Sequence, residues 1–500
     1  LVKKNLYESL GFVNNPFSKR SSEQELGFID DIFYEPNYYS TLQSDLTSGD
    51  TRFIIGQRGH GKSSVINKLF KDLEDNESLL VVKVDRFDNI PLRNNNVDFL
   101  LLIIKGVITK LSTNLLSNKK LIKRLNKHEK EKLSFFIKTF FRPLSESEYS
   151  DVCNKVKKVN VTNFFIRIFN LFGVDIANSL TSSAVNITSN FIRQSLGVDS
   201  INNSELHKEY FKKVSEIQIG KNEINSENCS KEELKHVLDD IFLVFSKMGL
   251  SKIIVLFDKI DEYQELNQEI QLISNFTKDL LADNEFLLNE NIAIGFSLWS
   301  ELRSELSGTV RFDKHGIIDV RWNSHDLVPL IEKRLSYFSD SKKITVKHLF
   351  RNEVDIKDLL SLSNNSPRDL IFLLSEIYNR QANINSAVKY FEDKAIRDGM
   401  ISFCKVYDYD SLFPSKVGRN KEIKAMINRL LQLKKTSFSK KELTTYFSQT
   451  AAQSEGQIKL MQNYGLVRKE EILLDKDTEL YEIIDPKVEF LIKHLEDRIE

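Results

Sequence analysis

The chain has 500 residues, 41% apolar and 28% charged, the balance of a soluble globular protein of about three domains. Lys plus Arg (71) equals Asp plus Glu (71), which excludes a global field drawing the molecule to nucleic acid or an anionic membrane; any such contact must be a local patch. Glycine (18) and proline (8) are scarce, which argues against long flexible linkers and for abundant helix.

Cys153, Cys229 and Cys404 lie far apart, without the spacing of a disulfide framework or a zinc knuckle, so a reducing compartment is expected. The opening LVKKNLYESLGF lacks the apolar core of a signal peptide, and no run reaches the roughly 18–20 apolar residues of a membrane span. A cytoplasmic protein is expected on these grounds. The abundance of Lys, Asn and Ile fits an AT-rich, bacterial coding genome.

The first informative segment is Thr51 to Leu73. Phe53-Ile54-Ile55 suits a buried strand, Gly56 to Ser63 reads G-x-x-x-x-G-K-S, and Ser64 to Leu73 has helical periodicity through Val65, Ile66, Leu69 and Phe70. Strand, loop and helix in that order form a phosphate-binding loop. Gly56, Gly59 and Gly61 let backbone N–H groups turn toward phosphate oxygens, with Gln57, Arg58 and His60 between them. The helix N-terminus adds its positive end. Lys62 is expected to reach the β- and γ-phosphates, Ser63 to ligate Mg²⁺, and Ser64 to continue the nucleotide-binding run. His60 is read as a loop side chain.

Leu79 to Val84 is a second strand. Asn94 to Met248 is too long for a strand-to-strand crossover and reads as a mostly helical insert. Within it Phe99 to Leu116 is apolar. Lys119 to Lys132 is basic, a solvated helix face or a phosphate-binding face. Phe164 to Leu196 is aromatic-rich, for core packing or an oligomer or membrane-surface helix.

Ser251 to Glu262 follows. Ile253 to Phe257 reads as a central parallel strand ending in Asp258, where ligands bind in open α/β sheets. Asp258 is therefore assigned to the Mg²⁺ shell, and Asp261 or Glu262 to orienting or deprotonating the attacking water. Asp258-Lys259-Ile260-Asp261 is similar to the Asn-Lys-x-Asp guanine-reading motif, but no Asp-x-x-Gly lies between Ser64 and Asp258, so ATP is favoured over GTP. Asn291 to Ser297 reads as the next strand, with Ser297 at its end as a possible γ-phosphate sensor. Arg303, Arg311, Arg321 and Arg334 are candidate arginine fingers, Arg334 equally a surface charge on an amphipathic helix.

Ser366 can cap a helix opened by Pro367-Arg368. From Asn420 the pattern is a winged helix: a helix at Glu422–Leu433, another from Ser439, a third at Gln457–Tyr464 closed by Gly465, then Leu466-Val467 paired with Tyr481–Ile484 across Asp475-Lys476-Asp477. On DNA, Lys459, Gln462 and Asn463 would face bases, with Arg468 and Lys469 on the wing; the lack of a basic excess favours packing on protein.

Together the Gly56–Ser63 loop, the Asp258-x-x-Asp261-Glu262 strand end and Asn365-Ser366-Pro367-Arg368-Asp369 resemble AAA+ and STAND-type ATPases. The opening Gly11-Phe12-Val13-Asn14-Asn15-Pro16-Phe17 and Tyr38-Tyr39 resemble bacterial P-loop ATPases whose first segment lies beside the adenine. The resemblance implies that Arg368 touches the γ-phosphate and that winged helices of this kind pack on the ATPase core. Lys259 stands where AAA+ proteins carry the catalytic Glu, which points to the STAND side and to slow hydrolysis.

The expected fold is α/β: a P-loop parallel-sheet core (1–93 and 249–345), a large helical insert (94–248), a helical lid (346–419) and a C-terminal winged helix (420–500). The expected function is a nucleotide-driven ATPase switch, oligomerising with ATP and Mg²⁺ and working with a separate effector protein in bacterial defence or signalling. The alternative is a DNA-binding ATPase of initiator or partition type.

Overall fold

A computed structural model describes residues 5–88, 90–126, scattered positions between 129 and 140, and residues 230–340, 344–409, 419–470 and 479–499. Phe164–Leu196, Cys153, Cys229 and the Asp475–Asp477 turn fall outside the described residues, as does most of the insert.

Helix α1 (Tyr39–Ser48) leads into strand β1 (Arg52–Gly56), helix α2 (Lys62–Glu74) and strand β2 (Leu79–Val84). Two helices flank the insert, α3 (Asn96–Ser117) and α4 (Lys231–Met248). Then come β3 (Lys252–Phe257), α5 (Ile270–Leu281), β4 (Ile292–Trp299) and β5 (Ile317–Val320). The five strands form one parallel sheet in the order β2-β3-β4-β1-β5.

Side chains alternate between two apolar faces. Phe53, Ile55, Val82, Ile253, Val255, Phe257 and Phe296 pack with α3, α4 and α5, while Ile54, Val81, Ile254 and Leu256 pack with α1 and α2. A sheet covered on both sides explains the unbroken apolar runs that marked these strands. The two ends of the insert thus complete the core of the sheet. Of the basic stretch, Arg124 donates to the Met248 carbonyl (2.8 Å) and Lys132 pairs with Asp240 (3.2 Å), so both lean on α4.

A second core gathers Leu6, Leu10, Phe12 and Phe17 with everything from Leu327 onward. Its helices are α6 (Ser324–Phe338), α7 (Glu353–Leu362), α8 (Pro367–Ile384) and α9 (Asp393–Val406). Helices α8 and α9 cross so closely that a Cβ on Gly399 would lie 2.6 Å from the Ile377 Cα, so only glycine fits there.

The remaining segment runs α10 (Arg419–Leu433), β6 (Ser437–Ser439), α11 (Lys440–Tyr446), α12 (Ala451–Asn463), β7 (Val467–Lys469), β8 (Leu480–Ile483) and α13 (Pro486–Lys493). Strands pair antiparallel in the order β6-β8-β7, the order of a winged helix. Val467 lies opposite Ile483, the pairing expected from the sequence. Two details differ. Strand β6 precedes the helix begun at Ser439, and α12 starts before Gln457 because Thr450 and Gln453 form a capping box ahead of it.

The α/β P-loop fold with helical lid and winged helix is present. Among the described residues no helix is long and apolar enough to cross a membrane.

Candidate nucleotide site

The loop from Gly56 to Gly61 joins β1 to α2, and Lys62 opens the helix. Gly59 (φ 82°) and Gly61 (φ 84°) are left-handed, a conformation that costs a side-chain-bearing residue energy and glycine little. Gln57 is exposed, Arg58 and Ser64 are half-buried, and His60 and Lys62 are buried. The Lys62 ammonium donates to the carbonyls of Gly56 (3.0 Å) and Gln57 (3.2 Å), curled over the loop it serves. Burial pulls its pKa below the usual lysine range, while the charges of Asp261 and Asp258 oppose that.

Asp258 follows β3 and is 1% exposed. The Ser63 hydroxyl donates to its Oδ1 (3.1 Å), and its Oδ2 has no hydrogen-bond partner. Burial raises its carboxyl above the usual range, against the lowering charge of Lys83 and the Ser63 hydroxyl. Ser297 lies on the adjacent strand, one residue past the Phe257–Phe296 pair. Its hydroxyl stands near enough to favour the Asp258 anion without a hydrogen bond of normal geometry. Strand β4 continues to Trp299, so Ser297 is not the strand-end residue expected. A serine hydroxyl beside a buried carboxylate with a free oxygen is an all-oxygen set suited to a hard divalent cation whose remaining ligands are phosphate oxygens and water.

Lys259 adopts a left-handed conformation (φ 60°), which turns its side chain out of the line of β3, and Ile260–Glu262 form a helical turn beyond it. Asp261 is 7% exposed. Glu262 keeps an open face, yet crowding on its other side and the Asp261 charge hold its carboxyl above the usual range. A raised carboxyl suits a proton acceptor working near neutrality.

The lid meets this loop directly. The Arg368 backbone N–H donates to the Gly59 carbonyl (3.3 Å), and a Cβ on Gly59 would lie 2.6 Å from the Ser366 hydroxyl. Ser366 caps α8 by accepting from the Asp369 N–H (3.2 Å), the cap expected from Ser-Pro-Arg. The Arg368 charge, with burial the leading cause, helps lower the pKa of both His60 and Lys62, which places its guanidinium by the loop. On the β5 side, the Trp322 indole N–H donates to the His60 carbonyl (2.8 Å), and Tyr34 packs on the Trp322 ring (6.1 Å between centroids). Sequence patterns carried no sign of these tertiary links.

Each of the four arginines weighed as fingers faces a carboxylate. Arg334 is a correction: 2% exposed, it is neither a surface charge nor free to swing. It donates to the Pro16 carbonyl (2.5 Å), the Lys19 carbonyl (2.8 Å) and Glu25 (2.6 Å), clamping residues 16–25 onto α6. Arg311 is bidentate on Asp313, and Arg303 and Arg321 both face Asp319, at 3.7 and 3.6 Å.

The clamped segment also reaches the Asp258 strand end. Lys259 pairs with Glu23 (2.5 Å), and Arg20 donates to Ser375 on α8 (3.0 Å), so residues 16–25 strap the sheet to the lid. Burial raises the Glu23 carboxyl, but the hydrogen bond and charge of Lys259 outweigh it and bring the pKa down to about 2 from 4.5. A depressed carboxyl stabilises the fold above pH 4.5, and that contribution fades as pH falls toward about 2. At this partly open site it is worth on the order of 1 kcal/mol or less. Glu23→Gln should therefore raise hydrogen exchange across residues 18–25 at pH 7, whereas the native strap should loosen only well below pH 4.5. Equal exchange in the two proteins at pH 7 would refute the latch.

Residues 34–281 match the model of the KAP family P-loop domain. No curated protein matches the sequence. Among solved structures, the Aeropyrum pernix ORC2 protein (ADPNP-ADP complexes) aligns at 11% identity and TM-score 0.41, over 97% of each chain. Cdc6p from Pyrobaculum aerophilum aligns at 10% identity and TM-score 0.35, over 97% of this chain and 99% of its own. The Aeropyrum pernix ORC1 protein in complex with DNA aligns at 10% and 0.35, over 94% and 96%. With the G-x-x-x-x-G-K-S loop seated between a central strand and its helix, residues 34–281 form a P-loop NTPase domain similar to that of the KAP family.

Proposed function

We propose that this protein binds and hydrolyses ATP with Mg²⁺ and uses the nucleotide to set the position of its lid and winged helix. The observation that carries the reading is the contact between Gly59 and the Ser366–Arg368 start of α8: the loop that would wrap the phosphates is the loop on which the lid rests. From there the hydroxyl of Tyr407, just past α9, donates to Asp369 (2.8 Å), and buried Lys487 of α13 sits over the Tyr407 ring (4.2 Å). A displacement of Arg368 by a phosphate therefore bears on the helix that closes the winged-helix domain.

In this proposal Ser63 and Asp258 would hold Mg²⁺, which would supply positive charge against the phosphates. Lys62, Ser64 and the N–H groups of Gly56 through Gly61 hold the phosphate chain. Glu262, with Asp261 beside it, accepts the proton of the attacking water. In the same reading Ser297 senses the terminal phosphate through Asp258.

The winged helix is read as a protein-packing module and a surface for assembly with further copies or a separate effector in bacterial defence or signalling. The basic residues weighed for contact with a duplex each face a carboxylate: Lys459 shares Glu455 with Lys440 (3.4 and 2.8 Å), Arg468 pairs with Glu482 (2.8 Å) and Lys469 with Glu479 (2.6 Å). A duplex-binding face needs cations free for phosphate.

Light scattering with and without ATP–Mg²⁺, alongside turnover with and without duplex DNA, tests the reading. The expected result is a nucleotide-dependent mass indifferent to DNA, lost in Arg368→Ala although that variant still binds ATP. An unchanged mass with DNA-stimulated turnover would overturn the switch and favour the initiator-type alternative.

A further inference from the structure

Arg58 is the third residue of the phosphate loop, and its side chain leaves the loop toward the end of β3. Its Nη1 donates to the Gln268 side-chain oxygen (2.8 Å), its Nε lies 3.9 Å from Asp261 Oδ2, and its guanidinium carbon is 5.4 Å from the centre of the Trp299 ring. The Arg58 charge also acts on Glu262. A guanidinium and three carboxylates, Asp258, Asp261 and Glu262, thus surround the space at the mouth of the loop, on the side of Ser63 and the free Asp258 oxygen.

We infer that Arg58 is an arginine finger supplied in cis: with ATP in the loop, its guanidinium meets the γ-phosphate and stabilises the charge that develops as that group is transferred. The inference rests on the ATPase reading above. In the step concerned, the water oxygen bonds to the γ-phosphorus while the bond to the β,γ-bridging oxygen breaks. The water proton passes to Glu262, and the bond electrons stay on ADP. Negative charge builds on the bridging and equatorial oxygens, where a planar, permanently charged fork is most effective.

Three features fit this role. The loop position is covalently part of the phosphate cradle, so no second subunit has to deliver the charge. The present hold on Arg58 is a hydrogen bond to a neutral amide, with Asp261 at 3.9 Å beyond hydrogen-bond length and the Trp299 ring in a face-on cation–π approach. A terminal phosphate is a stronger partner than a carboxylate crowded by a second one. The hold is also deliberate: Asn267 (φ 47°) and Gln268 (φ 56°) are consecutive left-handed non-glycine residues, and that costly turn presents the Gln268 amide to Arg58. Meanwhile Arg334 and Arg311 are hydrogen-bonded to carboxylates elsewhere, and Arg303 and Arg321 face Asp319.

The test uses the full chain and measures ATP affinity and single-turnover hydrolysis for native protein, Arg58→Ala, Arg58→Lys and Gln268→Ala, with Lys62→Ala as the binding-deficient control. Expected for Arg58→Ala is a loss of roughly 10³-fold in the chemical step with ATP affinity within a few-fold of native. Arg58→Lys should stay impaired because a point charge does not replace the fork. Gln268→Ala should keep native turnover or exceed it, which a merely structural brace between the two loops would not allow. Mixing Arg58→Ala with Lys62→Ala chains should restore nothing, whereas a finger acting between subunits would recover turnover.

Turnover of Arg58→Ala within threefold of native, recovery on mixing, or affinity lost as in Lys62→Ala would each overturn the inference while leaving the ATPase reading intact. Absence of ATP turnover in the native chain would overturn both.

Discussion

Exchanging Asp258 for asparagine is expected to leave ATP bound and to lower turnover by on the order of 10²–10³. The substitution preserves the shape of a side chain that is 1% exposed and keeps an acceptor for the Ser63 hydroxyl, so the fold and the phosphate cradle should persist. What is lost is the one full negative charge directly hydrogen-bonded to Ser63, together with the oxygen that has no other partner. A hard cation prefers an anionic oxygen to an amide oxygen, so the Mg²⁺ concentration giving half-maximal turnover should rise along with the loss of rate. Titrating Mg²⁺ against turnover at saturating ATP separates these effects. An unchanged Mg²⁺ dependence would remove Asp258 from the metal site, and a loss of ATP affinity matching that of Lys62→Ala would make it a phosphate-binding group instead.

Replacing Arg334 with methionine should be the most destabilising single change outside the sheet, by about 3–5 kcal/mol. The guanidinium is 2% exposed and satisfies three acceptors at once, one of them the buried carboxylate of Glu25. Its removal strands that charge and two carbonyls where water reaches poorly, a cost larger than the loss of the pair itself. Arg334→Lys should recover little, because one ammonium cannot span Pro16, Lys19 and Glu25. Arg334→Met combined with Glu25→Gln should recover part of the loss, since no ion is then left unpaired. Urea unfolding of the four proteins followed by circular dichroism checks the order. A single variant as stable as native would show that residues 16–25 are held by packing alone.

The phosphate loop, the aspartate at the end of β3 and the two wing strands β7 and β8 were legible because each is written in contiguous residues. Glycine spacing, an unbroken apolar run and a capping serine are local signals, and the physics behind them is local too. The contacts that complete the site join residues far apart in sequence. Glu23 reaches Lys259, Trp322 reaches the His60 carbonyl, and Arg58 reaches Gln268. No periodicity records such pairs, because a charged residue bound for a tertiary partner looks like any solvated one. Arg334 shows the failure most clearly: on an amphipathic helix it reads as surface, yet the segment around Pro16 and Lys19 folds over it and makes it interior. The insert's flanking helices were legible as helices, but their place in the sheet's core was not, since an apolar helix does not announce which face it will cover.

The composition of the second core bears on the order in which the molecule can be made. Leu6, Leu10, Phe12 and Phe17 share a core whose buried members otherwise begin at Leu327, with the whole parallel sheet synthesised in between. A ribosome therefore releases these apolar side chains long before anything exists to cover them, while the sheet can already close around its own strands. Synthesis thus leaves a waiting period in which the P-loop unit is complete and the strap hangs loose beside it. A chaperone that shields short apolar segments would act on this protein there, at residues 6–17, and its help should become dispensable once α6 and α8 have emerged.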